Sequence, residues 1–342
     1  MLRVFEHFPV GWSATFGPVA VTQDAIVAFA REFDPQPFHM DEEAAKGTFV
    51  GGLIGSGWHT CALNMRLIAD GFLNGATSMG APGVEEVKWV APVRPGDELR
   101  TRVSVVEARP SKSRPEIGLL HFTFEVVNQR GETVLHQTNW IMFGRGGHPW
   151  PPSPGSGPKP GARAVELELA PPRPAAYLDE MVVGEASTLG THTFTAEDIV
   201  RFARQFDPQP FHLDEEAARR SLFGGLCASG WHTAAVWMRL MIGYRERARE
   251  EARRRGERPP ELGPSPGFKN LKWSKPVYAG DTITYCSAIT GTRASASRPG
   301  WGLAFHRNSG VNQHGEEVFS FDGAVFWERR PAEAQASAPR SS

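Results

Sequence analysis

REFDPQPFHMDEEAA, from Arg31 to Ala45, returns as RQFDPQPFHLDEEAA, from Arg204 to Ala218, an offset of 173 positions. Working outward at that offset, Gly11 meets Gly184, Thr22 meets Thr195, and SGWHT at Ser56–Thr60 meets SGWHT at Ser229–Thr233. Further on, KWVAPVRPGD (Lys88–Asp97) meets KWSKPVYAGD (Lys272–Asp281) at an offset of 184. Eleven extra residues therefore lie in the second copy, around the charged run YRERAREEARRRGERPP, which reads as an exposed helix extension. A repeat this long is a domain written twice. The expected organisation is a domain over 1–147, a Pro/Gly-rich linker over 148–174, a second domain over 175–330, and a disordered tail over 331–342. Either half is long enough to bury its own core.

Both copies read in the same order. Thr22 and Thr195 are N-cap candidates for a helix whose buried face is Ile26, Phe29, Ala30 and Phe33, mirrored by Ile199, Phe202, Ala203 and Phe206. The DPQPFH loop follows, then a short helix that Asp41 or Asp214 caps. A glycine-rich turn leads into a helix from about Ser56 to Asp70 that is apolar on every side, so it must be enclosed. Leu99, Thr101, Val103 and Val105 alternate with polar residues as a strand does, and so do Phe122, Phe124 and Val126. Glu132–Phe143 is a third long strand. A buried helix wrapped by an antiparallel sheet is an α+β fold. In the second copy HFTFEVV is replaced by FHRNSGV, which weakens the strand pattern around Phe305–Gly310 and puts the second site in doubt.

Asp34 and His39, and Asp207 and His212, stand in a loop stiffened by two prolines, whose fixed φ lowers the entropy of placing them. A carboxylate and an imidazole can share the proton transfers of water addition or removal through one water molecule. A proline-braced turn with a satisfied histidine would read the same way in isolation. The glycines of FVGGLIGSGWHT and LFGGLCASGWHT bring backbone N–H groups toward a ligand at a helix entrance. His59 and His232 read as buried structural histidines. Lys112, Arg114 and Arg298, in SKSRP and SASRP, are basic residues of strand turns.

Asp-x-x-Pro-x-His between a helix and a glycine-rich turn resembles the MaoC-like dehydratase and (R)-specific enoyl-CoA hydratase family, and the resemblance covers both copies. It implies two fused hot-dog domains and reversible hydration of an acyl-CoA thioester. It also implies catalytic pairs Asp34/His39 and Asp207/His212, thioester-polarising amides at Gly52 and Gly225, and helix hydroxyls at Thr60 and Thr233. Coenzyme A is then part of the substrate and no separate cofactor is needed. A thioesterase on the same fold and a non-catalytic acyl-CoA-binding protein are the alternatives.

Net charge is −1, which gives no field for nucleic acid or membrane. No stretch approaches a transmembrane span, and the N-terminus lacks a signal-peptide pattern. Cys61, Cys227 and Cys286 are isolated, which suits a reducing cytosol, and no metal-ligand spacing occurs. The expectation is a cytoplasmic protein with an acyl-CoA substrate, no metal, and room for a homodimer.

Overall fold

A computed structural model describes residues 2–159 and 171–331. Part of the expected linker and all but the first residue of the expected tail lie outside the described residues.

The first half runs β1 (Ser13–Val21), α1 (Gln23–Phe33), α2 (Pro37–Met40), α3 (Glu42–Lys46), α4 (Gly57–Ile68), β2 (Gly83–Trp89), β3 (Asp97–Pro110), β4 (Ile117–Val127) and β5 (Thr133–Gly144). The second half repeats it as β6 (Ala186–Thr193), α5 (Ala196–Phe206), α6 (Pro210–Leu213), α7 (Glu215–Arg219), α8 (Gly230–Arg254), β7 (Gly267–Trp273), β8 (Thr282–Ala294), β9 (Trp301–Val311) and β10 (Glu317–Glu328). The caps are where the side chains place them: Thr22 accepts from the Ala25 amide and Thr195 from the Asp198 amide, each at 3.1 Å. Asp41 and Asp214 likewise cap α3 and α7 at 2.7 Å.

All ten strands form one sheet, in the order β1-β3-β4-β5-β2-β7-β10-β9-β8-β6. The halves join edge to edge where β2 pairs antiparallel with β7, Val84 opposite Leu271 and Val87 opposite Phe268. The cores join too. Phe29 meets Phe206 and Phe33 meets Phe202, each edge-on at 5.6 Å. Each half was expected to bury its own core; instead one apolar cluster runs through both. The enclosed helices α4 and α8 are buried along their first turns from Trp58 and Trp231 onward. No helix among the described residues is long and apolar enough to cross a membrane.

Two expectations change here. The stretch around Phe305–Gly310 is a fully paired strand, bonded to both β8 and β10. Its alternation is intact, but Ala304, His306, Asn308 and Gly310 point inward where β4 has Leu120, Phe122, Phe124 and Val126. The charged run does extend α8, yet not as a bare solvent helix. Ala248 and Ala252 are buried, and the Ala248 carbonyl accepts from the Ala175 amide at 2.9 Å.

Candidate active site

Asp34 closes α1 as its C-cap, and Pro37 opens α2 at its first turn, which carries His39. The expected loop is therefore a bend between two helices. Both side chains are buried, and Asp34 Oδ2 lies 3.4 Å from His39 Nε2. In the second copy Asp207 Oδ2 lies 3.5 Å from His212 Nε2.

The surroundings fix what each atom can do. His39 Nδ1 sits 2.8 Å from the Ile54 carbonyl, and His212 Nδ1 sits 2.7 Å from that of Cys227. A carbonyl only accepts, so Nδ1 carries a proton, and in the neutral tautomer that this selects the Nε2 lone pair faces the aspartate. Asp34 Oδ2 accepts from Ser56 Oγ at 2.6 Å and Oδ1 from Gln36 Nε2 at 2.9 Å. Ser229 and Gln209 hold Asp207 in the same way, at 2.6 and 3.0 Å. Carboxylate oxygen and imidazole nitrogen thus face one another as two acceptors. A water molecule seated to one side of that short gap can donate one hydrogen to each.

Each pair opens on a cavity whose far wall belongs to the other half. The Asp34/His39 cavity, about 500 Å³, is lined by Gly57 and Thr60 of α4 and by Trp237, Met241 and Phe321 across from them. The Asp207/His212 cavity, about 370 Å³, is lined by Gly230 and Thr233 of α8 and by Met65, Ile68 and Ile141. Sequence reasoning put each site inside its own copy and so missed these opposing walls. It also passed over Ser56, Gln36, Ser229 and Gln209, although each lies in a stretch that the repeat marks.

Gly52 and Gly225 do not reach the cavities. Gly52 lies in the turn before the entrance, at φ +152°, with its open side toward the Arg94 guanidinium; Gly225 packs on Pro158. Of the glycines in these two stretches, Gly55 and Gly57 line the first cavity and Gly230 the second, Gly57 and Gly230 being the first residues of α4 and α8. A Cβ there would come within 2.4 Å of the Trp89 ring or 2.2 Å of Trp273, so only glycine allows the indole to close over the helix entrance. First-turn amides have no acceptor in their own helix. Ser56 and Ser229 cap the Trp58 and Trp231 amides at 3.2 Å, and no such cap engages Gly57 or Gly230.

His59 and His232 are core residues, stacked on Phe29 at 4.7 Å and on Phe202 at 4.6 Å. Burial pulls each imidazole down to about 3. Between pH 6.5 and about 3 the unfolded chain binds protons that these two refuse, so stability is full above that window and falls as pH drops through it. Each contributes about 1.4 kcal/mol per pH unit there. A His59→Phe/His232→Phe variant should show a visibly flatter fall in urea midpoint from pH 6 to pH 4; an unchanged slope would refute the account.

The MaoC-like domain family matches residues 10–118 and 182–299, which is most of both halves. The chain belongs to this family. The Bacillus subtilis protein YdeM is 36% identical over 142 residues, 41% of this chain and 98% of YdeM. A mesaconyl-CoA hydratase of Cereibacter sphaeroides is 34% identical over 73 residues, 21% of each chain. Among solved structures, a MaoC domain protein of Chloroflexus aurantiacus superposes with a TM-score of 0.74 at 18% identity, over 96% of this chain and 98% of its own. A Mycobacterium tuberculosis protein described as a double hot-dog fold superposes at 0.67 with 16% identity, over 95% and 98%. At those identities the MaoC-like chain shares the fold with them, and the fold is a double hot dog.

Proposed function

We propose that this MaoC-like chain adds water reversibly to the double bond of a 2-enoyl-CoA thioester, at one site in each half. The observation that carries this reading is the pair of facing acceptors, Asp34 Oδ2 and His39 Nε2, buried at the wall of a cavity, and its near-duplicate at Asp207 and His212. A water held by both is oriented before the reaction starts. As its oxygen bonds to C3, its proton passes to the pair, which returns a proton to C2. The C2–C3 π bond is consumed and the pair ends as it began. Charge builds meanwhile on the thioester oxygen, and an N–H at a helix entrance is suited to it. The amides of Gly57 and Gly230 are better placed for that role than those of Gly52 and Gly225, because of these four only Gly57 and Gly230 line the cavities. Thr60 and Thr233 also line them, with hydroxyls bonded to the Ser56 and Gly230 carbonyls at 3.3 and 2.7 Å.

The test is a panel of trans-2-enoyl-CoA thioesters followed by loss of the conjugated double bond, with chiral analysis of the 3-hydroxyacyl product. Conversion of at least one panel member is the expected result. Release of free thiol with no hydroxyacyl product would put a thioesterase in its place. Tight binding with no turnover of any member would leave only an acyl-CoA-binding protein.

A further inference from the structure

The two cavities are not chemically alike, and the difference lies in four matched positions. In the first half Phe72, Val103, Phe122 and Phe124 form a fully buried apolar group, with Phe72 and Phe122 centred 5.7 Å apart. At the corresponding positions of the second half stand Arg245, Ser287, His306 and Asn308. Three of these, Arg245, His306 and Asn308, line the larger cavity with Asp34 and His39, and Arg245, Ser287 and His306 also border a neighbouring cavity of about 130 Å³ that Trp327 lines. None of the four first-half residues lines the smaller one. The apolar set fills its space; the polar set leaves it open.

These polar groups are only partly satisfied by the protein. Ser287 donates to Asn308 Oδ1 at 2.8 Å, which leaves the Asn308 NH2 group to donate elsewhere. His306 Nε2 and Trp237 Nε1, both buried on this wall, have no hydrogen-bond partner among the described residues. Arg245 makes no ion pair or hydrogen bond among them and only packs over the Trp327 ring, 5.3 Å from its centroid. Burial lowers its guanidinium to about 10, against the pull of the Asp34 carboxylate, so it remains a cation at neutral pH. His306 is held neutral, at about 3, by burial and by the charge of Arg245. A half-buried cation without a counter-charge is costly, and so is a buried donor without an acceptor. Both costs vanish when an anion enters beside them. Asp34 is beyond ion-pair reach of Arg245 yet within its field, so that anion would sit only a few bonds from the reacting carbons.

We propose that the Asp34/His39 cavity takes a short acyl thioester bearing a second, free carboxylate, gripped by Arg245 and flanked by the donors of Trp237 and Asn308 and by His306 in its Nε2–H tautomer, whereas the Asp207/His212 cavity takes an uncharged acyl group. The proposal rests on the hydration reading for its chemistry, but the subsite itself does not. The unlike cavities then give one chain two substrate preferences, which accounts for keeping both acid–base pairs while the strand behind one of them changed character.

The test uses the full-length Asp207→Asn chain, in which only the first site works, with trans-2-butenoyl-CoA and the monothioester of trans-butenedioate with coenzyme A. The carboxylated substrate should be preferred by about 100-fold in kcat/KM, and Arg245→Met should lower that ratio by a similar factor, mainly through KM. Arg245→Lys, which keeps the charge but not the fork, should retain part of the preference. His306→Phe, which installs the first-half residue, should also lower the ratio and stands in if Arg245→Met fails to fold. A preference for the neutral substrate, or an equal loss on both substrates in Arg245→Met, overturns the subsite. Should the parent chain hydrate neither, calorimetry with the saturated succinyl-CoA separates the two ideas. Binding weakened at least about tenfold by Arg245→Met would keep the subsite and end the hydration reading; no binding would end the subsite.

Discussion

Asp34→Asn combined with Asp207→Asn should leave the fold intact and lower the hydration rate by about 10²–10⁴-fold, the usual worth of a positioned acid–base group. Asparagine keeps the shape of the side chain and the carbonyl oxygen that Ser56 or Ser229 bonds at 2.6 Å. The Gln36 and Gln209 amides can turn over to meet the new NH2 group, since either end of a glutamine amide fits the same space. What changes is the character of the oxygen facing the imidazole. A carboxylate oxygen can hold the water and take its proton; the neutral amide oxygen left in the same place beside Nε2 is far too weak a base to do so. The single variants separate the sites, because each leaves the other pair untouched. The measurement is kcat/KM for the best enoyl substrate beside the thermal midpoint of each variant. Full turnover in the folded double variant would remove these pairs from the chemistry.

How much of this was legible in the chain follows from how local each signal is. Thr22, Asp41 and their repeats are caps, which a few neighbouring residues decide, and they stand where the pattern places them. Asp34 and His39 lie five residues apart in a proline-braced bend, so their pairing was equally readable. The opposing walls were not, because Trp237 reaches the Asp34 cavity only through the packing of one half against the other. Strand β9 misled for a different reason. Reading strands by apolar alternation assumes that the inward face is greasy, and here it carries His306 and Asn308. Its pairing partners, not its composition, hold it in the sheet. Gly52 stands five residues before the helix entrance that Gly57 opens, because two glycine turns precede one helix, and only their φ angles and neighbours distinguish a turn from a helix entrance.

The seam between the halves should be the point where one substitution does most harm. Gly267 opens β7 opposite Lys88, at φ +140°, a backbone conformation that side-chain-bearing residues avoid. A Cβ there would stand 2.0 Å from the Val87 carbonyl oxygen and 3.0 Å from its carbon. Gly83, at the far end of the same ladder, faces the Leu271 carbonyl oxygen at the same 2.0 Å. These obstacles are backbone, so no rotamer change relieves them; the strands must part. Parting them also disturbs Phe268, which stacks on Trp58 at 4.8 Å in the shared core. Gly267→Val should therefore cost about 3–5 kcal/mol, from strain and overpacking together. Gly315→Ala makes the control. Its φ is +76° but no atom lies within 4 Å of the added carbon, so it carries the backbone strain alone. Because each cavity draws a wall from each half, loosening the seam should impair both sites in parallel, whichever substrate is used. Urea midpoints for the two variants, read beside turnover at each site, decide the matter. If Gly267→Val matched the control, or spared the Asp207/His212 site, whose cavity Gly267 does not line, the halves would not depend on this ladder for their shared geometry.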